Sequence, residues 1–369
     1  MEQRRVYGKG QWYHETQARN QAADVLPLVP EAAHVADRFL LDLTLPEQVS
    51  DDCQPWLHLS SKIAVHLFPN DVAVTRLNTF SAYDRLSTAL TVAQVFGVQR
   101  LCNHYAARLA PLPGPDSSRE SNHRLAQITQ YARQLAGSPS VICSASRQQL
   151  DAVGLSVPDI VLMTQIVGFV GYQARVMAVG QALLGLPVRW LPGMPVQEEA
   201  PASLFDAQTQ DWKSDLDVIE NHDFSNLQLD ALLPLLAWDK LLLRLEIDLL
   251  DALHTEPEYA TLVAVLNARI NGSASCFWQH AQDESLLLAI LEGENALQQW
   301  GQNNPAALAV IQAVQLLTKA PDRFSAAQFT PLLDNNLSPA QAFTLLALSG
   351  VNGWLNRLKI GLGEALPVT

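Results

Sequence analysis

The chain predicts an all-α protein, and three observations carry that prediction. Leucine and alanine recur at three- and four-residue spacing, alternating strand patterns are scarce, and helix starts are marked by Ser or Asp caps. Apolar residues make up 48% and charged residues 17% of 369, so the chain buries a core and has length enough for two ordinary domains.

Taken in order, residues 1–40 read as an arm that packs on a partner. Arg4 and Arg5 have no apolar run behind them, so a secretory leader is not expected. Helical spacing then runs through SAYDRLSTALTVAQVFG and HRLAQITQYARQLAG, and later through LDALLPLLAWDKLLLRLEIDLLDALH and LAVIQAVQLLTKA. Ser156 before VPDIVLM and Ser338 before PAQAFTLL each have a proline within the first turn, which marks a helix start, and Pro257 marks another. The longest apolar stretches, DALLPLLAW and DIVLMTQIVGFVGY, stop short of the roughly 20 residues that span a bilayer, so no membrane partner is expected. A formal charge of −13 and a pI near 5.1 argue against nucleic acid.

Cys53, Cys102, Cys143 and Cys276 form no CxxC, so neither a zinc ribbon nor a vicinal redox pair is encoded. Free thiols in a cytoplasmic protein are the expectation. Without a Gly-rich phosphate loop, a ligand cluster or a dinucleotide fingerprint, no cofactor and no metal are expected.

The chain also repeats itself. The segment that begins LAGSPSVIC lies against the one that begins LTKAPDRFS at one constant offset and without a gap. Leu135 meets Leu317, Pro139 meets Pro321, Leu155 meets Leu337, Ser156 meets Ser338, Gly171 meets Gly353 and Arg175 meets Arg357. Between the copies, RWLPGMPVQEEAPASLFDAQTQDW has three prolines and reads as a linker. The predicted organisation is an arm at 1–40, a first domain at 41–195, a linker at 196–215 and a second domain at 216–369.

One stretch carries candidate chemistry. In NGSASCFWQH, Asn271 to His280, the helical period puts Cys276 and His280 on one face, where an imidazole can take a thiol proton. Ser275 either bonds the thiolate or faces solvent. Phe277 and Trp278 line a pocket or fill the core. Glu258 stands in the first turn after Pro257, and Arg175 and Arg357 read as a helix-end or interface ion pair.

The order NGxxxCxxxH, a helix, x-Pro, GLS or NLS, and a helix ending in NR resembles the carboxymuconolactone decarboxylase and alkylhydroperoxidase D superfamily. The C-terminal match runs from about Leu227 to Ala365 and includes LLDNNLS and WLNRLKIGLGE, similar to the tail of the peroxidase-related branch. The first half, with LCNHYAARLAPL, GLSVPDIV and GYQARVM, resembles a companion branch. The resemblance implies tandem duplicated alkylhydroperoxidase D-like helical bundles that form a homo-oligomer. The family's relay of Glu, CxxC and His falls on Thr261, Ser273, Cys276 and His280, so two of its four positions are kept.

By that resemblance Cys276 is the peroxide-attacking thiol, His280 its base, and Ser273 stands where the resolving cysteine would. A one-cysteine peroxidase acting on a hydroperoxide, with an external thiol as reductant, is the expectation. Glu258, one turn before Thr261, is the remaining candidate to orient His280. The alternatives are acid-base lyase or isomerase chemistry by His280 on a small organic acid, and a non-catalytic binding protein. In the first half Cys102 falls within one residue of the motif when Gly97 is aligned with Gly272, but position 106 is Ala, and His104 and Tyr105 lie elsewhere on the helix. Cys102 reads as a packing residue and this half as a scaffold or pocket wall.

Overall fold

The computed structural model describes residues 30–189, 195–220, 223–253, 255, 257–280 and 283–367, apart from the side chains of 30, 209, 210, 257, 258 and 367. Most of the expected arm therefore lies outside the described residues, as does the side chain of Glu258. Among the described residues are fifteen α-helices and one two-stranded ribbon. The first half contains α1 (Glu47–Leu67), α2 (Ala82–Phe96), α3 (Gln99–Leu109), α4 (Arg119–Gly137), α5 (Ser144–Ala152) and α6 (Val157–Leu183). After strand β1 (Thr209–Lys213) come α7 (Leu233–Leu236), α8 (Lys240–Ala252), α9 (Pro257–Asn271) and α10 (Ala274–His280). The chain continues through α11 (Glu284–Glu292), α12 (Glu294–Gly301), α13 (Pro305–Lys319), α14 (Ala326–Asp334) and α15 (Pro339–Leu362) to strand β2 (Glu364–Pro367).

Local chemistry accounts for the main boundaries. Ser156 and Ser338 cap α6 and α15, each accepting from the backbone N–H three residues on, while Asp159 and Gln341 reach back to close the capping box. Helix α9 starts at Pro257, as its sequence predicts. The apolar run 229–254 divides because Asp239 takes the N-cap of α8 and accepts from Leu242 N at 3.0 Å.

The boundaries also repeat. The 3-10 turns Pro139–Val141 and Pro321–Arg323, helices α5 and α14, and the starts of α6 and α15 are all related by the offset that carries Leu135 onto Leu317. Helices α2 and α9 correspond as well: each is followed by a left-handed glycine, Gly97 at φ 68° and Gly272 at φ 85°.

Helices α6 and α15 form the centre and run antiparallel. Thr164 lies against Gly361, Gly168 against Trp354, Tyr172 against Gly350 and Gly180 against Phe343. A Cβ at Gly350 would stand 2.8 Å from the Tyr172 ring, and one at Gly168 would overlap the Trp354 ring, so these glycines set how closely the helices pack. Gly168 and Gly350, and Tyr172 and Trp354, are partners at the same repeat offset, so the contact is reciprocal. The two rings stack with centroids 6.2 Å apart. Helix α6 is long and apolar enough to cross a membrane, contrary to the reading of its apolar run as too short, but 94% of its apolar window is buried inside the protein.

The arginines are reciprocal too. Arg175 donates to Thr318 O at 2.9 Å in the last turn of α13, and Arg357 donates to Ala136 O at 2.7 Å in the last turn of α4. Each also donates to the carbonyl four residues before it, Gly171 O and Gly353 O. The expected ion pair is corrected: among the described residues neither guanidinium meets a carboxylate. Both are fully buried and satisfy helix-end carbonyls, where the macrodipole is negative. Both lie over the ring of Phe96, at 4.6 and 5.5 Å from its centroid.

The halves exchange further contacts. From α1, Trp56 donates to Thr344 on α15, and from α8 the buried Glu246 sits beside Gln165 on α6. Burial holds the Glu246 carboxyl well above the usual carboxylate range. Nearly all of the buried apolar side chains form one connected core.

The stretch expected as a linker is ordered against this core. Phe205 is buried, and β1 pairs antiparallel with β2, Trp212 opposite Ala365. Buried Arg147 on α5 holds the ribbon through Asp215 at 2.6 Å and Glu364 at 3.2 Å.

Replacing Gly168 by Ala should destabilise the protein by about 2 kcal/mol or more, because the methyl group has to displace a packed indole. Urea unfolding checks this, and shortening the indole with Trp354→Leu in the same chain should recover part of the loss.

Candidate functional site

The Cys276 segment is built at the corner between α9 and α10. Gly272 takes φ 85° to turn the chain, and a Cβ there would stand 2.9 Å from Ala200 and 3.0 Å from Ser140. The N–H groups of Gly272 and Ser273 both donate to Ala268 O at 2.9 Å, which closes α9 before α10 begins. Asn271 is fully buried. Its Nδ2 donates to Asn356 Oδ1 at 3.0 Å, and its Oδ1 accepts from Gln197 Nε2 at 2.9 Å. Gln197 Oε1 in turn accepts from Arg357 at 3.4 Å. The NG and NR pairs of the sequence pattern therefore meet in one buried network, a link that spacing along the chain cannot reveal.

The network positions α10 against the C-terminal turn of α15 and the former linker. Phe277 fills the core edge-on to Phe205, with centroids 4.9 Å apart, and Arg269 stacks over Phe205 at 5.0 Å from its centroid. Trp278 is half-buried and helps line a cavity of about 400 Å³ with Ser275, Gln279, Trp212, Asp230 and Lys359. Of the two readings of Phe277 and Trp278, the core holds for the first and the pocket wall for the second. Ser275 faces this cavity. Ser273 is buried with an unpartnered hydroxyl among the described residues.

Cys276 is 7% exposed. Although it shares a helix face with His280, among the described residues no hydrogen bond joins the two. The charged group that shares an electrostatic environment with Cys276 is Lys359, which the sequence reading missed because it lies far along the chain, in the tail of α15. Lys359 is 7% exposed, its Nζ lies 5.0 Å over the Trp212 ring, and Trp212 Nε1 donates to its carbonyl at 2.7 Å. Burial lowers the Lys359 pKa, and negative charge at Cys276 or Asp230 raises it.

His280 has a different character. Burial lowers its pKa below the ordinary 6.5, and no carboxylate contributes among the described residues, which exclude the Glu258 side chain. Thr261, at the relay's acid position, has no ionisable group to supply. Glu246, the deeply buried glutamate of α8, lies beside Gln165 and not beside His280. His280 is thus a neutral imidazole at pH 7, suited to accept a proton rather than to carry a charge.

In the first half Cys102 is half-buried and packs against the core, as read from its spacing. Cys53 is buried, close to Ala340 O and Thr344 Oγ1, and burial raises its pKa. Among the described residues no cluster of three or more metal-ligating side chains occurs.

A histidine that binds its proton more weakly when folded stabilises the protein above its unfolded pKa, and that contribution is lost as pH falls through 6.5 toward the folded pKa. In a ring NMR titration His280 should show a midpoint below 6.5 that Cys276→Ser leaves unchanged.

No family model matches the chain, and no curated protein matches it.

Proposed function

We propose that the chain is a tandem of two alkylhydroperoxidase D-like bundles whose second half carries a one-cysteine, thiol-dependent peroxidase site at Cys276. The duplication rests on the helix boundaries at a shared offset and on the reciprocal contacts of Gly168 with Trp354, Gly350 with Tyr172, and the two arginines. The catalytic reading rests on one observation above others: Lys359 places a buried cation near Cys276 at the wall of a cavity.

In this reading the Cys276 thiolate attacks the terminal oxygen of a hydroperoxide. The O–O bond breaks, the departing alkoxide takes a proton from the Lys359 ammonium, and Cys276 becomes a sulfenic acid. With a serine at 273, an external thiol condenses with the sulfenic acid and releases water, and a second one frees Cys276 as a disulfide leaves. His280, neutral and partly buried, accepts the proton of the incoming thiol.

A second reading, a non-catalytic binding protein, is favoured because, among the described residues, no hydrogen bond joins Cys276 to His280 and no acid meets His280. The experiment that separates them follows Cys276 by peptide mass spectrometry. One equivalent of a small hydroperoxide should protect Cys276 from alkylation in the folded protein. Alkylation at pH 7 should fall about fivefold or more in Lys359→Met and change little in His280→Ala. A folded thiol untouched by peroxide leaves the binding reading.

A further inference from the structure

A cavity of about 610 Å³ lies between the first half and the turn at Pro321, Asp322 and Phe324, on the face of α3 that carries Arg100, Asn103 and His104. The alignment that sets Gly97 on Gly272 carries those residues onto Ser275, Trp278 and Gln279, which line the cavity beside α10. We propose that this cavity is a second binding site, for a small organic monocarboxylate with an apolar body and a hydroxyl donor.

Three features of the wall define that ligand. Helix α3 follows Val98, which offers no side-chain cap, and among the described residues the N–H groups of Gln99 and Arg100 have no acceptor. Arg100 spends one N–H on Leu41 O at 3.1 Å and keeps other donors free, so this end of the cavity takes an anion.

The second feature is His104, only 2% exposed yet part of the cavity wall. Its Nδ1 lies 2.7 Å from Ala32 O, a carbonyl that only accepts, so Nδ1 carries the proton. Burial pulls the ring's pKa down to about 4, which leaves Nε2 with a lone pair. Nε2 has no partner among the described residues. The ring lines the cavity, so a ligand hydroxyl placed there can donate to Nε2.

Third, the wall is balanced. Arg100 and Arg189 are matched by Glu31 and Asp322, and the remainder includes Leu41, Val188 and Phe324. Extra negative charge beyond one carboxylate would meet those acids. The proposal does not depend on the thiol chemistry at Cys276.

Calorimetry of the full chain with 4-hydroxybenzoate tests it. Saturable one-site binding is expected, weakened about tenfold in Arg100→Ala and in His104→Gln, and unchanged in Cys276→Ser. Benzoate, which lacks the donor, and phthalate, with a second carboxylate, should both bind more weakly. Absence of saturable binding, tighter binding of phthalate, or full affinity in Arg100→Ala, a surface change that leaves the fold intact, would overturn the proposal.

Discussion

The antiparallel contact between α6 and α15 is the constraint on which the rest of the protein depends. Each helix supplies a glycine where the other supplies a large aromatic ring, so the axes come close enough for Tyr172 and Trp354 to stack. Gly171 and Gly353 clear space beside the two arginines, which reach past this seam to the carbonyl ends of α13 and α4. Two buried cations without a carboxylate cost desolvation, and that cost falls on their pKa values. Arg357 is pulled down to about 9 by burial, and Arg175 is lowered by burial and by the charge of Arg357. The helix-end carbonyls and the face of Phe96 offset the cost, and deleting either arginine would leave a buried carbonyl unpaired.

The candidate site is coupled to this seam. Arg357 reaches Gln197, Gln197 reaches Asn271, Asn271 reaches Asn356, and Asn271 with Gly272 fixes the turn that sets α10. Lys359 lies just past Arg357 on the same helix, so the charge near Cys276 is placed by the element that pairs the halves. The thiol segment and the central helix form one construction, which is why the buried lysine near Cys276 comes from α15 and not from its own short helix.

Much of the fold was legible in the chain because it rests on local rules. Ser156, Ser338 and Pro257 mark helix starts through capping and proline geometry, which need only a few neighbouring residues. Pro139, Ser156 and Arg175 each recur at one offset, and the helix boundaries around them follow the same spacing. What escaped were contacts between distant segments. Arg175 and Arg357 were matched correctly, but their acceptors are backbone carbonyls, which carry no mark in a sequence. Lys359 and His104 were passed over for the same reason: a side chain on an apolar helix gains its chemistry from the cavity wall it happens to join. The proline-rich stretch before β1 read as a spacer by composition, yet buried Phe205 and the pairing of Trp212 tie it down. Spacing put Cys276 and His280 on one face, and tertiary placement then gave the thiol a different neighbour.

Native-state hydrogen exchange tests the central claim most directly. If the reciprocal seam holds both halves together, the slowest amides of α6 and α15 should exchange through the same global opening, with equal free energies, and those of α4 and α13 behind the arginines should follow them. Exchange of one central helix through a lower-energy opening while the other stays protected would show two independently stable halves, and would contradict the account.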